Sequence, residues 1–362
     1  MKRPIAKSFS PGAVVAMEPL VDRIVTRLCD RLEERFIDSG EGKECDLGSW
    51  IAYCTWDIIG AATLSEDFGY LHQGSDHDGS INLNDRFADY FGTVGQIPFV
   101  DTLLDKNPLV RLGPPTLENV ASFTLRHIQA RVQGRDPHYN PAMPDFLQHF
   151  LDTREEKPDA VDEQLVFSYT VNVLLAGADT SAIAIRAVMY FVLCNRRVWD
   201  RLSEELLATD WEGPVAPFST ARALPYLEAV VRESMRLHPS VTMLLERYVP
   251  DTGLTLPDGS FVPPKTAVGI NPYVSSRNKS IWGPDADAFC PERWLPRHGE
   301  STSDESFRAR LRLFNASDLT FGGGSRVCIG RHVALVEIYK TVATIVKRYD
   351  IELADPGPIK GP

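Results

Sequence analysis

Phe321-Gly322-Gly323-Gly324-Ser325-Arg326-Val327-Cys328-Ile329-Gly330 is the stretch that decides how this 362-residue chain is read. Three consecutive glycines oppose regular structure, because each gives up more backbone freedom on folding than any other residue. They make a tight loop, and the loop carries an Arg, a Cys and a closing Gly. From Arg331 onward the pattern is helical, with Val333, Ala334, Val336, Tyr339, Val342, Ala343 and Val346 recurring at helical spacing. Cys328 therefore stands just ahead of a helix N-terminus. The free N–H groups and the dipole of that end favour negative charge, and the thiolate is the form of cysteine that binds metals.

Several uses of such a loop can be compared. A phosphate-cradling loop needs Gly-x-x-x-x-Gly-Lys-Ser/Thr, and no such Lys follows. The dinucleotide pattern G-x-G-x-x-G, counted from Gly322, ends on Val327. A zinc site wants Cys or His partners at short spacing, and only His332 is near. Two readings of the local chemistry stay open: an inert buried cysteine, and a thiolate that ligates haem iron.

The pattern F-x-x-G-x-R-x-C-x-G is complete at Phe321, Gly324, Arg326, Cys328 and Gly330. In this it resembles the cysteine-ligand loop of the haem-thiolate monooxygenases, the cytochromes P-450. The resemblance implies Cys328 as proximal ligand of a haem b iron, with Arg326 on a propionate.

Composition sets bounds that fit. The chain is 43% hydrophobic and 24% charged, enough apolar material for a large core. A formal charge of −11 argues against nucleic acid as a general partner. The six cysteines form no C-x-x-C pair, which suits a reduced, cytosol-facing environment. The start, Met-Lys-Arg-Pro-Ile-Ala-Lys, has no apolar signal-peptide core. No window reaches about 18 uncharged apolar residues, so no transmembrane helix is expected.

In chain order, the spacing predicts helices over 12–37, 47–64, 84–94 and 117–132. A polar Gly/Asp/His-rich segment at 73–80 reads as a loop, Pro98, Pro108, Pro114 and Pro115 break the chain into short pieces, and 134–144 reads as a linker. His127, His138 and His149 are out of metal-ligand register and read as surface or capping residues. Residues 162–194 are a proline-free apolar run that would make a helix roughly 50 Å long. Being apolar nearly all round, it should be buried.

In the middle of that run stands Ala176-Gly177-Ala178-Asp179-Thr180. Ala176, Gly177 and Thr180 are expected on one face, small enough to leave room for something flat or diatomic. The Thr180 hydroxyl can bond back to the Ala176 carbonyl, and a carboxylate at Asp179 is costly to bury unless it is used or paired. By itself the stretch also fits a close helix–helix contact. It is similar to the family's oxygen-activating helix, A/G-G-x-D/E-T, which implies that Asp179 and Thr180 deliver protons for oxygen cleavage.

Residues 224–238 are helical and contain Glu233-Ser234-Met235-Arg236, an i, i+3 pair of a kind common on any surface helix. Phe289-Cys290-Pro291-Glu292-Arg293-Trp294 resembles the family's F-x-P-E-R-F/W segment. The joint resemblance implies a buried structural cluster of Glu233, Arg236 and Arg293. Between the two, 254–256 and 260–262 read as a hairpin around Pro257-Asp258-Gly259, and 266–271 as a further strand. Arg247, just before the hairpin, is a second propionate candidate by resemblance.

The resemblance runs from about the first helix to the end. It implies a mainly helical, α+β cytochrome P-450 fold, with 1–362 forming one partial catalytic domain. The local style is similar to fungal members of secondary metabolism. Family members carry a further portion before this start and a last hairpin after this end, so the resemblance implies truncation at both ends. The implied activity is insertion of one oxygen atom from O2 into a small apolar substrate. NADPH electrons would arrive through a reductase docked near Arg326, Arg331, His332 and Lys340. Full-length relatives sit on the cytosolic face of the endoplasmic reticulum; a complete chain of this sequence would be cytoplasmic. The alternatives are a peroxide-using or rearranging haem-thiolate enzyme, which the Asp179–Thr180 pair opposes, and a non-catalytic remnant poor in haem.

Overall fold

The computed structural model describes residues 2–38, 43–109, 112–114 and 116–354. Met1, Pro115 and the tail from 355 on lie outside the described residues. Among the described residues the fold is mostly helical, with two small antiparallel two-stranded sheets. The chain divides into two compact units. The first takes Met1–Arg186, Asp210–Ala221 and Ile329–Pro362; the second takes Ala187–Thr209 and Arg222–Cys328.

In the first unit the expected helix over 12–37 is broken. A short helix Pro11–Val15 is followed by Glu18–Leu32 and a π turn, Glu33–Ile37. Pro19 explains the restart, since its missing N–H and fixed φ suit the first turn of a helix and no later one. Helix Leu47–Leu64 runs over the predicted residues; Asp46 caps it by accepting from the Ser49 N–H at 3.1 Å. The loop read at 73–80 is partly helix cap. Asp76 and Asp78 accept from the N–H groups of Ser80, Ile81 and Asn82, so the next helix starts at Ser80 and runs to Val94. Asp57, buried in helix Leu47–Leu64, accepts from the Tyr70 and Leu71 N–H groups and so starts the turn Tyr70–Gln73.

The predicted run at 162–194 is a helix from Glu163 to Leu193. Leu174 and Ala178 enter a core cluster with Trp56, Ile59, Tyr70, Phe146 and Phe150. Among the described residues it is the one helix long and apolar enough, by length and composition, to cross a membrane. It is not buried all round: Asn172 and Ala176, one turn apart, are exposed. Helix Arg331–Arg348 closes the unit, with Val336, Tyr339, Val342 and Ile345 buried.

The second unit is built around helix Pro225–Leu237 and an aromatic cluster. Trp282 stacks on Phe314 at 4.7 Å, and Trp294 sits edge-on to Phe314 at 5.4 Å. The predicted hairpin pairs β2 (Leu254–Thr255) with β3 (Phe261–Val262), Leu254 opposite Val262. Gly259, at φ +88°, makes its turn, a conformation that side chains resist. The strand expected over 266–271 is only Ala267–Val268, β4, paired with β1, Arg247–Tyr248. One more backbone bond, Leu245 N–H to Ile270 carbonyl at 3.1 Å, extends the pairing without a full ladder.

Candidate functional site

The cysteine loop belongs to the second unit. Gly322 and Gly324 have φ of +72° and +60°, so both turn where an L side chain would be strained. The Cys328 N–H donates to the Phe321 carbonyl at 2.8 Å, closing the loop. A single 3-10 turn, Gly324–Arg326, lies between. Phe321 is half-buried, whereas Arg326, Val327 and Cys328 are exposed. Cys328 is a free, exposed thiol, so the inert buried cysteine left open by the sequence does not describe it. Gly330 is the N-cap of helix Arg331–Arg348.

Among the described residues, no three His, Cys, Asp or Glu converge to hold a metal ion. A metal at Cys328 must therefore bring most of its own ligands. A haem, which would need one protein thiolate on its iron, fits that donor set; zinc, needing three or four protein donors, does not. Arg247 is exposed in β1, and its Nη1 donates to the Glu246 carbonyl at 2.6 Å.

The Asp179–Thr180 turn belongs to the first unit. The Thr180 hydroxyl donates to the Ala176 carbonyl at 2.7 Å. Ala176 is exposed and Thr180 half-buried. Burial holds the Asp179 carboxyl above the usual carboxylate range; Asp85 pushes the same way and Arg186 partly offsets both. The expected common face of Ala176, Gly177 and Thr180 is not what forms. Gly177 is turned toward helix Leu47–Leu64, where an added Cβ would lie 2.7 Å from Ile59 Cδ1. Its smallness serves helix packing, because a residue one place along is rotated about 100° from Ala176.

In the second unit Glu233 and Arg236 are buried and joined by two 2.8 Å hydrogen bonds, from Arg236 Nε and Nη2. Arg293 Nε donates to Glu233 at 3.3 Å, the Trp294 indole N–H at 3.0 Å and the Cys290 N–H at 3.0 Å. Arg236 Nη1 also donates to the carbonyls of Ser276, at 2.5 Å, and Ala286, at 2.7 Å. The cluster thus ties the helix to the segment preceding the cysteine loop.

The docking surface read around the cysteine needs correction. Lys340 is buried, with Nζ at 2.5 Å from Glu18, 2.7 Å from Asp22 and 2.8 Å from the Ala216 carbonyl. An ammonium so placed ties two helices together and adds nothing to surface potential. Burial and the Arg331 charge lower the pKa of His332, so its imidazole is neutral at neutral pH. Arg326 and Arg331 remain exposed.

The family model described as Cytochrome P450 matches residues 1–361. The chain belongs to the cytochrome P450 family. It is 46% identical to cytochrome P450 monooxygenase cfoH of Aspergillus candidus over 98% of this chain and 66% of that protein. It is 35% identical to cytochrome P450 monooxygenase mpaDE of Penicillium brevicompactum, over 98% of this chain and 41% of that one. It is 34% identical to cytochrome P450 monooxygenase cicH of Emericella nidulans, over 98% and 69%. The chain thus spans 66% and 41% of the length of the first two relatives. The prosthetic group of the P450 family is a haem with a cysteine thiolate on iron.

Sequence reasoning missed three features of this P450 chain. Arg131 holds buried Asp145 through two hydrogen bonds, of 3.0 and 2.7 Å. His127, read as a surface or capping residue, is buried, and its Nε2 lies 3.2 Å from a Glu66 oxygen that His138 approaches at 3.3 Å. Glu66 and His138 line a cleft of about 480 Å³ with Arg23, Arg27 and His72. The third is Glu337, fully buried in the last helix; a lone acid in the apolar run from Val333 to Val346 was its signal.

Proposed function

We propose that this chain is the haem-thiolate part of a monooxygenase that inserts one oxygen atom from O2 into a small apolar organic substrate of secondary metabolism. The observation that carries the reading is the exposed Cys328 thiol on its glycine-turned loop, a lone soft donor ahead of a helix N-terminus. Because the family match runs unbroken over residues 1–361, both units are taken as parts of one catalytic domain.

Cys328 would ligate the haem iron, on a loop shaped by Phe321, Gly324 and Gly330. Arg326 is the first candidate for a propionate and Arg247 the second, both exposed guanidiniums able to pair with a carboxylate in a bidentate manner. When bound, the haem supplies the one-electron and oxygen chemistry that no side chain here can perform. Electrons would come from NADPH through a reductase, with Arg326 and Arg331 as the cations facing it. A position on the cytosolic face of the endoplasmic reticulum belongs to the same proposal.

The chain's own contribution is to hold and pass protons. Asp179, whose carboxyl burial holds above the ordinary carboxylate range, keeps its proton to higher pH than an exposed aspartate does. Thr180 carries the neighbouring hydroxyl, already oriented by its bond to Ala176. An acid beside an alcohol forms a short proton relay. The cluster of Glu233, Arg236 and Arg293 is structural.

Thr180→Ala tests the relay in haem-loaded protein supplied with a reductase. Electron consumption should continue while product formed per electron pair falls by roughly 10²-fold, the lower end for losing one positioned proton donor, and hydrogen peroxide takes up the difference. Unchanged coupling in Thr180→Ala would sink the relay.

A further inference from the structure

Helix Arg331–Arg348 buries an acid that the reading above does not use. Glu337 is fully buried, and neither carboxyl oxygen has a hydrogen-bond partner of accepted geometry. One turn on, on the same face, the Thr341 hydroxyl is buried and equally unpartnered. From the long helix the buried Ser181 hydroxyl is set against the Glu337 carboxyl. From helix Leu47–Leu64 comes the Cys54 thiol, itself fully buried, pushed well up by desolvation and further by Asp57, Cys29 and Glu337. Among the described residues no cation is set against the Glu337 carboxyl: Lys340, three residues on, turns its ammonium to Glu18 and Asp22.

An ionised carboxylate in such surroundings is costly, and buried charges neutralise instead. A carboxylic acid solves the problem, since it gains an O–H donor while keeping acceptor capacity. The geometry points to Glu337 as an acid that stays neutral at neutral pH, accepts from the Ser181 hydroxyl and gives its own O–H to an ordered water shared with Thr341. Through Ser181 it fixes the turn carrying Asp179 and Thr180. It is a positioning residue, and this part rests on the proton-relay reading of that turn. The Glu337 O–H and the Thr341 hydroxyl supply two partners, the fewest that an internal water requires.

The charge state has a measurable sign. Burial pushes the Glu337 carboxyl up from its ordinary 4.5 to about 8, with the Ser181 hydroxyl acting the other way. The folded state then keeps a proton that the unfolded chain has lost. Stability from this group is full at acid pH and falls as pH rises from about 4.5 through about 8.

The experiment compares the chain with Glu337→Gln, a neutral isostere, by infrared spectroscopy and by thermal unfolding against pH. At neutral pH the parent should show the carbonyl stretch of a protonated carboxylic acid, fading as pH passes about 8 and absent from E337Q. Its Tm should fall, relative to E337Q, by roughly 5–10 °C across the same window. In haem-loaded protein the peroxide share of the parent should at least double, roughly, on passing that pH, while E337Q stays flat. Absence of the band, parallel Tm profiles, a peroxide share that tracks pH alike in both, or failure of E337Q to fold would each overturn the inference. Thr180→Ala is measured alongside. If it uncouples while the E337Q results go against expectation, only this inference falls; if it does not uncouple, the relay reading fails and the positioning role falls with it.

Discussion

Arg236→Ala should destabilise the protein by about 3–5 kcal/mol, the usual cost of breaking a buried ion pair by removing one partner. The substitution deletes both bonds to Glu233 and leaves the carbonyls of Ser276 and Ala286 without their donor. Glu233 stays buried with Arg293, the Trp294 indole and the Cys290 N–H as its remaining donors. Arg236→Lys should not rescue, because an ammonium cannot reproduce a fork that grips one carboxylate and reaches two carbonyls together. Urea unfolding measures both variants. A loss under about 1 kcal/mol for Arg236→Ala would mean that the cluster is ornamental, as many surface pairs are.

The first unit contains an equivalent clamp. Arg131→Ala should also cost about 3–5 kcal/mol. Asp145 is fully buried and would keep only the Ser65 hydroxyl, at 2.7 Å, and the Gln148 N–H, at 2.9 Å. Arg131 also pairs with Asp136 at 2.7 Å and lies over the Tyr139 ring at 3.9 Å, so its removal loosens the whole turn over 134–144. Arg131 and Arg236 share no partner among these contacts. Their effects should therefore add to within about 0.5 kcal/mol in the double variant, if unfolding remains two-state. A double variant no worse than either single one would show that the two clamps report on the same unfolding step.

The segment read from its prolines and glycines as a linker is thus bracketed by one of the strongest polar anchors among the described residues, Arg131 before it and Asp145 after it. Its composition did predict irregular backbone, and the backbone is irregular. What composition cannot carry is the partner: Asp145 meets Arg131 only after the chain has folded back on itself. The same limit governs Gly177, whose neighbour Ile59 lies in a distant helix, and Lys340, whose exposed or buried state depends on Glu18 and Asp22 from the far end of the chain. Features set by local chemistry were legible. Glycines at positive φ, the hairpin turn at Gly259, the long helix and the Thr180 back-bond to Ala176 each follow from a few adjacent residues. The Glu233 cluster was legible only because three weak local patterns coincided with a known family order. Burial of the long helix was overstated, since periodicity finds an apolar face without saying what covers it. Ala176, exposed beside Thr180, is where that distinction matters for function.

Both clamps support the function at one remove, by holding the elements that carry Cys328 and Thr180 in their own units. Neither bears on whether Cys328 ligates haem iron, which is the central claim. The measurement that bears on it is the reduced, carbon-monoxide difference spectrum of haem-supplied protein, recorded beside Cys328→Ser. The expected result is the red-shifted band typical of thiolate ligation in the parent and its loss in C328S. A thiolate-type band that survives in C328S, or a haem-loaded parent with only an unshifted band, would contradict the assignment of Cys328.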